Sequence, residues 1–372
     1  MRILIAPDKF KLTLTAMQVA EITGNILREH GHEVLLCPLA DGGEGTFELL
    51  TQACNGSIHQ VAVSNPLGRN VNAQFGISPD QSTAFIDMSQ AAGLFRLTTA
   101  ERNPELTNTF GVGELILEAI RFGAAEIILG CGGSATNDGG TGMAAALGYR
   151  FLDANGVPFI PVGGTLDRIA RIDASQVIPE LDKIRFTVIS DVTNPFSGPE
   201  GAAVVFAPQK GADDPAVHRL DHGLVHLARL FEQRDGFFID AVRGAGAGGG
   251  FTGGAAWFLH AQHLPGAAVV MDRTGFFSQL SGADLVITGE GRLDEQSLHG
   301  KVVSEVAAAC RVRSIPFHIV CGQQQVSQDF RLPLGAQEIW SLSAVAGSTA
   351  QALENPEKWL ESVVESLCEG LK

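Results

Sequence analysis

The sequence predicts an α/β protein of two domains. Both chain ends join in one doubly wound, parallel-sheet domain, and the middle forms a second α/β domain inserted into it. Three observations carry this. Short apolar runs alternate with amphipathic helical stretches at both ends, the βαβα rhythm of a parallel sheet with helices on both faces. That rhythm changes after about residue 60 and returns near Asp284. The length, 372 residues, also exceeds what one hydrophobic core usually holds. The expected division is 1–60 with 278–372 for the first domain and 61–277 for the insert.

Ile3 to Ala6 reads as a buried parallel strand, ended by Pro7 and Asp8. A helix follows, with Thr15 as N-cap and Val19, Ile22, Ile26 and Leu27 as its apolar stripe. Val34 to Cys37 is a second strand, Asp41 to Thr46 a glycine turn, and Phe47 to Cys54 a helix. Val61–Val63 and Val71–Phe75 flank Asn65-Pro66-Leu67-Gly68, a hairpin turn. Within the insert, Gly113 to Phe122 is helical, Glu126 to Leu129 a strand and Met143 to Leu147 a helix-forming run. Phe186 to Ile189 is a strand, and Pro215 to Phe231 a polar helix over a core cluster of Phe231, Phe237 and Phe238. Gly244 to Gly250 is too glycine-rich for regular structure. The first rhythm then resumes with strand Leu285–Thr288, helix Val302–Cys310, strands Phe317–Cys321 and Glu338–Leu342, and helix Pro356–Leu371.

Composition narrows the function. Apolar residues at 45% and charged residues at 18% exclude wholesale disorder. Asp plus Glu outnumber Lys plus Arg 41 to 26, a net charge of −15, so nucleic acid is not an expected partner. Any bound phosphate must be met by local devices. The six cysteines show no CxxC pair and no histidine at zinc spacing, which fits reduced thiols in a cytoplasmic protein. No apolar run reaches the ~18 residues of a membrane span.

Five segments share one grammar, an apolar strand followed by glycines, carboxylates and hydroxyls. In α/β sheets ligands bind beyond the carboxyl ends of strands, so these segments predict one large cleft. Asp8, Lys9 and Lys11 follow the first strand and suit an anion clamp, although a solvated turn explains a lone lysine equally well. Asp41 and Glu44, separated by two glycines, suit a cation or a helix cap. The loop from Gly130 to Gly142 is placed to cradle phosphate or a small acid through Gly132, Gly133, Ser134, Thr136 and Asn137. Asp138 there is expected to face a metal or a substrate hydroxyl, because toward a bare phosphate it would repel. The same loop fits a dinucleotide fingerprint at Gly130, Gly132 and Ala135, with Asp153 near the acidic position. Its polar run is wrong for that turn. Asp191 ends a strand and suits a general base or a metal ligand, with an Asx-turn as the plain alternative that better explains Asn194; the general base or a close partner of it is the expected role. Gly289, Glu290, Gly291, Arg292 and Asp294 read as a metal and anion site, with surface ion pairing as the plain alternative. Gly300-Lys301 ends like a P-loop, but position 295 is Glu, so no Walker A is present. No GxSxG elbow and no Cys–His pairing suggests a nucleophile.

Taken in order, several strings resemble the type-1 glycerate kinases. They are Ile5–Lys11, Ala40–Thr46, Gly132–Gly140, Ser190–Pro195, Pro208–Ala212 and Ile287–Asp294, and they span nearly the whole chain. Two departures stand out: Leu12-Thr13 where members carry a small residue and Ser, and Arg243 where the glycine run usually opens with Pro. The resemblance implies a flavodoxin/Rossmann-like domain with an inserted α/β domain, and ATP-dependent phosphorylation of D-glycerate, most often at the 2-hydroxyl. On that reading the cofactors are ATP and Mg²⁺. The catalytic residues are Asp191, Lys9, Lys11 and Arg292. Asp8, Gly132, Gly133, Ser134, Thr136, Asn137, Gly289 and Gly291 contact substrate or phosphate, and Asp41, Glu44, Asp138, Glu290 and Asp294 are the metal ligands. The loop Gly132–Gly140 is expected to line the cleft between the domains. The partners are small molecules, with a homo-oligomer in keeping. Two competing functions are weighed: an NAD-dependent hydroxy-acid dehydrogenase, and a non-catalytic binder of a sugar acid or nucleotide.

Overall fold

The computed structural model describes residues 1–11, 13–298, 301–326 and 334–371. Leu12 and Gly300, both singled out in the sequence, lie outside the described residues. The chain divides into two compact units, Met1–Asp41 with Pro265–Lys372, and Gly42–Leu264. The sequence reading set its divisions at 60/61 and 277/278.

The first unit holds a five-stranded sheet, all parallel. Its spatial order is Ile339–Ser341, Phe317–Gln324, Leu285–Leu293, Arg2–Pro7 and Glu33–Leu36. Numbered along the chain within this unit and read from the Glu33–Leu36 edge, that order is 2-1-3-4-5, the flavodoxin-like arrangement. Arg2–Pro7 reads as a near-continuous apolar run because it lies inside the sheet with both faces covered. Helix Ala16–Glu29 opens with a capping box, Thr15 accepting from Gln18 N while the Gln18 side chain reaches back. It packs against helix Pro356–Gly370, burying Val19, Leu27, Leu360 and Val364 in one core.

The second unit is built on a mixed six-stranded sheet in the order Gln262–Leu264, Arg185–Ile189, Glu126–Gly130, Thr83–Asp87, Asn70–Ile77 and Ser57–Ser64. The first four are parallel, and the last two form the expected hairpin, closed where Gly68 N donates to Asn65 O. Helices Phe110–Arg121, Thr141–Ala146, Asp214–Asp235 and Phe251–Phe258 contribute to its core, which includes a stacked Phe231–Trp257 pair.

Three details differ from the sequence reading. Thr83–Asp87, fully buried, is a central strand that the pattern did not reveal, because its run is short and without alternation. Phe238 is 65% exposed rather than core, since the helix that covers Phe231 ends at Asp235 and Gly236 turns the chain in the left-handed region. The strand predicted at Leu285–Thr288 runs on to Leu293, so Gly289 to Arg292 lie in the sheet rather than in a loop. There Gly289 pairs with Val320 and Arg292 with Gln323. Among the described residues no helix is long and apolar enough to cross a membrane.

Candidate active site

In a flavodoxin-like sheet the ligand crevice opens at the switch point, outside the carboxyl ends of the two central strands. In the first unit those strands are Arg2–Pro7 and Leu285–Leu293, paired Pro7 to Gly289. The first and fifth sequence segments therefore meet here. Asp8 N continues the ladder to Gly289 O at 2.8 Å, and Asp8 Oδ1 accepts from Lys9 N at 2.7 Å. Lys9 Nζ stands 3.9 Å from Asp41 Oδ1. Around the end of the neighbouring strand, Lys301 Nζ, from the N-cap of helix Val302–Arg313, is 4.0 Å from Glu290 Oε2 and 3.8 Å from Asp294 Oδ1, and Arg292 Nε is 3.0 Å from Asp294 Oδ2. Lys11 is exposed.

This crowding moves the acids. Burial, then the charges of Asp41 and Glu290, hold the Asp8 carboxyl well above its usual range, with Lys9 opposing. Glu290 is 7% exposed, and burial pushes it up to about 7 against the pull of Ser297 and Lys301. Strongly perturbed acids at a strand end mark a functional site. Gly289 and Gly291 have a different explanation from ligand contact. A Cβ on Gly289 would stand 2.0 Å from Val320 O, and one on Gly291 2.7 Å from Lys11 N. Both are small because neighbouring backbone occupies the space.

In the second unit, register aligns Asp87, Gly130, Ile189 and Leu264 along one edge. The Gly42–Gly45 turn sits on that edge. Gly42 has φ +83°, and a Cβ on it would meet Ile189 O at 2.6 Å. Gly132 lies so close to Gly43 that a Cβ would stand 2.6 Å from the Gly43 Cα. Asp87, which the sequence reading missed, fixes this turn. Its carboxylate accepts from Gly45 N at 2.7 Å and Phe47 N at 3.1 Å, capping helix Thr46–Ala53 from a distant strand. The available signal was a fully apolar run ending in a carboxylate. Glu44 is exposed at the tip.

The glycine loop is buried more deeply than expected. Gly133 is exposed and Gly132 half-buried, but Ser134 is 6% exposed and Thr136, Asn137 and Asp138 are fully buried. Asp138 is turned inward. Its Oδ2 accepts from Thr109 N, Thr109 Oγ1 and Gly142 N at 2.9, 2.8 and 2.9 Å. Burial raises its pKa while these donors lower it. Its lone pairs hold helix Thr141–Ala146 to Thr109, a structural clamp, and it is not carried forward as a metal ligand. The glycine run braces the same loop, Gly139 N donating to Gly249 O, and holds the Ser190–Pro195 segment as well, Gly246 N donating to Asn194 O. Gly249, at φ +75°, has Thr136 O where a Cβ would lie.

The dinucleotide reading fails on geometry. The helix after the loop begins only at Thr141, far past Ala135. Asp153 closes a surface turn, accepting from Asn155 N and Val157 N at 2.9 Å each.

Asp191 is half-buried just beyond the strand end, where Ser190 Oγ accepts from Val192 N at 3.1 Å. His263 Nε2 lies 3.1 Å from Ser190 O. Asn194 is not the Asx-turn expected; its Nδ2 donates to Glu200 O at 2.9 Å. Lys210, in the string Pro208–Ala212, is buried beneath the glycine loop with Nζ 2.8 Å from Ser134 Oγ and 2.7 Å from Thr136 O.

The carboxylates offered are hard oxygen ligands suited to Mg²⁺. Among the described residues no group of three or more His, Cys, Asp or Glu side chains is arranged to hold a metal ion.

Comparison with known proteins agrees with this architecture. The family profile described as the Glycerate kinase family matches residues 3–372. A glycerate kinase of Halalkalibacterium halodurans is 40% identical over 98% of this chain and 97% of its own. A glycerate 2-kinase of Escherichia coli is 43% identical over 82% of this chain and 81% of its own. A crystal structure from Salmonella typhimurium LT2, assigned as a glycerate kinase 2, superposes with a TM-score of 0.84 at 39% identity, covering 100% and 99% of the two chains. The chain belongs to the glycerate kinase family.

Proposed function

We propose that this chain transfers the γ-phosphoryl group of ATP to the 2-hydroxyl of D-glycerate, releasing ADP and 2-phosphoglycerate. The observation that carries the reading is the family match over residues 3–372. The charged switch-point cluster of the first unit supports it, because phosphoryl transfer demands positioning and charge neutralisation rather than covalent catalysis.

Asp191 is the general base. It takes the proton of the glycerate hydroxyl as that oxygen bonds to the γ-phosphorus and the bond to the bridging β,γ oxygen breaks. Lys9, Lys11 and Arg292 offset the charge of two anions in a protein of net charge −15. Asp8, placed against Lys9, orders the first segment. Gly132 and Gly133 form the accessible part of the loop that receives an anionic oxygen, with the buried Ser134 hydroxyl beside them and Thr136 and Asn137 as buried supports. Asp41, Glu44, Glu290 and Asp294 are the carboxylates that would hold a Mg²⁺ ion, which would supply neutralisation of phosphate charge when bound.

The test is product identity. Enzyme, D-glycerate, ATP and MgCl₂ are incubated, and the product is offered to enolase with and without phosphoglycerate mutase. Direct consumption by enolase supports the reading. A product that needs the mutase overturns the regiochemistry, and NAD reduction without ATP overturns the kinase. Asp191→Asn should fold normally and lose about 10²–10⁴ in kcat; near-native turnover by the folded variant would remove Asp191 from the role.

A further inference from the structure

Lys210 is 2% exposed, and a buried ammonium is costly unless it is paired and fully hydrogen-bonded. It ends the turn Pro208–Lys210, and the chain leaves through Gly211 at φ +99°, where a Cβ would stand 2.2 Å from Arg102 O. The lysine is thus held in place from behind. Ahead of it, Nζ donates to Ser134 Oγ at 2.8 Å and to Thr136 O at 2.7 Å. Burial lowers its pKa to about 8, opposed by the nearby Asp138 and Cys131.

The bond to Ser134 has a chemical consequence. A hydroxyl oxygen that accepts from an ammonium must give its own proton to another acceptor, and the charge behind it makes it a stronger donor. Beside Ser134 stands Gly133, the exposed residue of the loop at φ +71°. A second observation points the same way. Among the described residues, Ser89 Oγ, Thr136 Oγ1 and both polar atoms of Asn137 are buried and meet no hydrogen-bond partner. Ser89 adjoins the loop, its Cβ 3.4 Å from where a Gly133 Cβ would lie. Native interiors leave few such groups, because each is costly if nothing meets it.

We propose that Lys210 is a positioning residue for the phosphoryl-transfer site: its ammonium fixes the loop Gly132–Asn137 through Ser134 Oγ and Thr136 O, and commits the Ser134 hydroxyl proton to an anionic oxygen of a bound ligand. The ligand oxygen belongs to a phosphate or a carboxylate, both of which the proposed reaction supplies. The inference rests on that reading of the loop, but its test does not depend on turnover.

The test compares full-length native enzyme, Lys210→Met and Ser134→Ala by amide hydrogen exchange and by separate titrations with ADP and D-glycerate. In Lys210→Met the amides of 132–137 should exchange at least about tenfold faster, the equivalent of losing one charge-assisted bond, with the sheet unchanged. The dissociation constant should rise about tenfold or more for the ligand that Ser134 meets and stay within threefold for the other. A rise for ADP identifies phosphate; a rise for glycerate identifies carboxylate. Ser134→Ala should reproduce the selective rise with a smaller change in exchange, and Ser134→Thr should restore binding. A lysine that only fills space would lower the folded fraction and leave both affinities unchanged. Unaltered loop exchange, or both affinities within threefold of native in Ser134→Ala, overturns the proposal. If Lys210→Met does not fold, the Ser134 pair decides. If the native enzyme does not phosphorylate glycerate, the proposed function fails while exchange and ADP binding still judge Lys210.

Discussion

Glu290 keeps its proton toward neutrality because its strand lies in the middle of a parallel sheet, where burial penalises charge more than Lys301 and Ser297 favour it. The sign of the stability effect follows from linkage. The folded pKa, about 7, lies above the ordinary 4.5, so the native state binds this proton more tightly than the unfolded chain does. The contribution is fully present below pH 4.5 and is lost as pH rises through 7. Two and a half units amount to roughly 3 kcal/mol. Asp8 shifts in the same direction, so the native protein alone cannot assign the slope. The difference between native and Glu290→Gln, measured by urea unfolding in EDTA, isolates it. The variant should match native stability near pH 4.5 and exceed it by up to roughly 3 kcal/mol at pH 8. Parallel stability curves across this range would show that Glu290 titrates normally.

The turn and loop elements explain what the sequence revealed and what it hid. Strand ends carrying glycine and carboxylate were legible because they break an apolar run abruptly, as at Asp8, Asp41 and Asp191. Direction was not legible. Asp138 carries the same signature as Asp191, yet its oxygens are consumed by Thr109 and Gly142, partners supplied by tertiary structure. Gly291 reads like a ligand glycine and is in fact a packing glycine. Asp87 escaped notice because its strand is too short to show a period, although it anchors the turn that bears Glu44. Asp87→Ala leaves the amides of Gly45 and Phe47 buried without their acceptor. That should cost roughly 2–4 kcal/mol and free the first turn of helix Thr46–Ala53. Amide exchange should then accelerate at residues 43–48 before any other part of the second unit. Asp87→Asn keeps one acceptor oxygen and should lose about half as much. Uniform acceleration across the unit would mean that Asp87 supports the whole sheet rather than the turn.

At the scale of the molecule, a continuous unit, Gly42–Leu264, interrupts one that is discontinuous in sequence. The interrupted unit keeps its five-stranded order, so its sheet is specified by segments more than two hundred residues apart, paired as Ile5 with Ile287. The inserted unit has the properties of an independent domain. Its buried cluster runs from Val63 to Ala261. Its two ends lie at one place, since Gly42 packs on Ile189 O and Leu264 pairs with Ile189 in the sheet. Close termini at a sheet edge are the geometry that tolerates insertion and excision. Residues 42–264 expressed alone should therefore unfold in urea as one cooperative transition, seen alike by far-ultraviolet circular dichroism and by the fluorescence of Trp257. The Phe231–Trp257 stack makes that residue a reporter of the core. If the proposed roles of Lys9 and Arg292 hold, the isolated unit, which lacks both, should not transfer phosphoryl groups. A broad or probe-dependent transition would show that the insert takes its stability from the rest of the chain, and turnover by the insert alone would place the chemistry entirely within it.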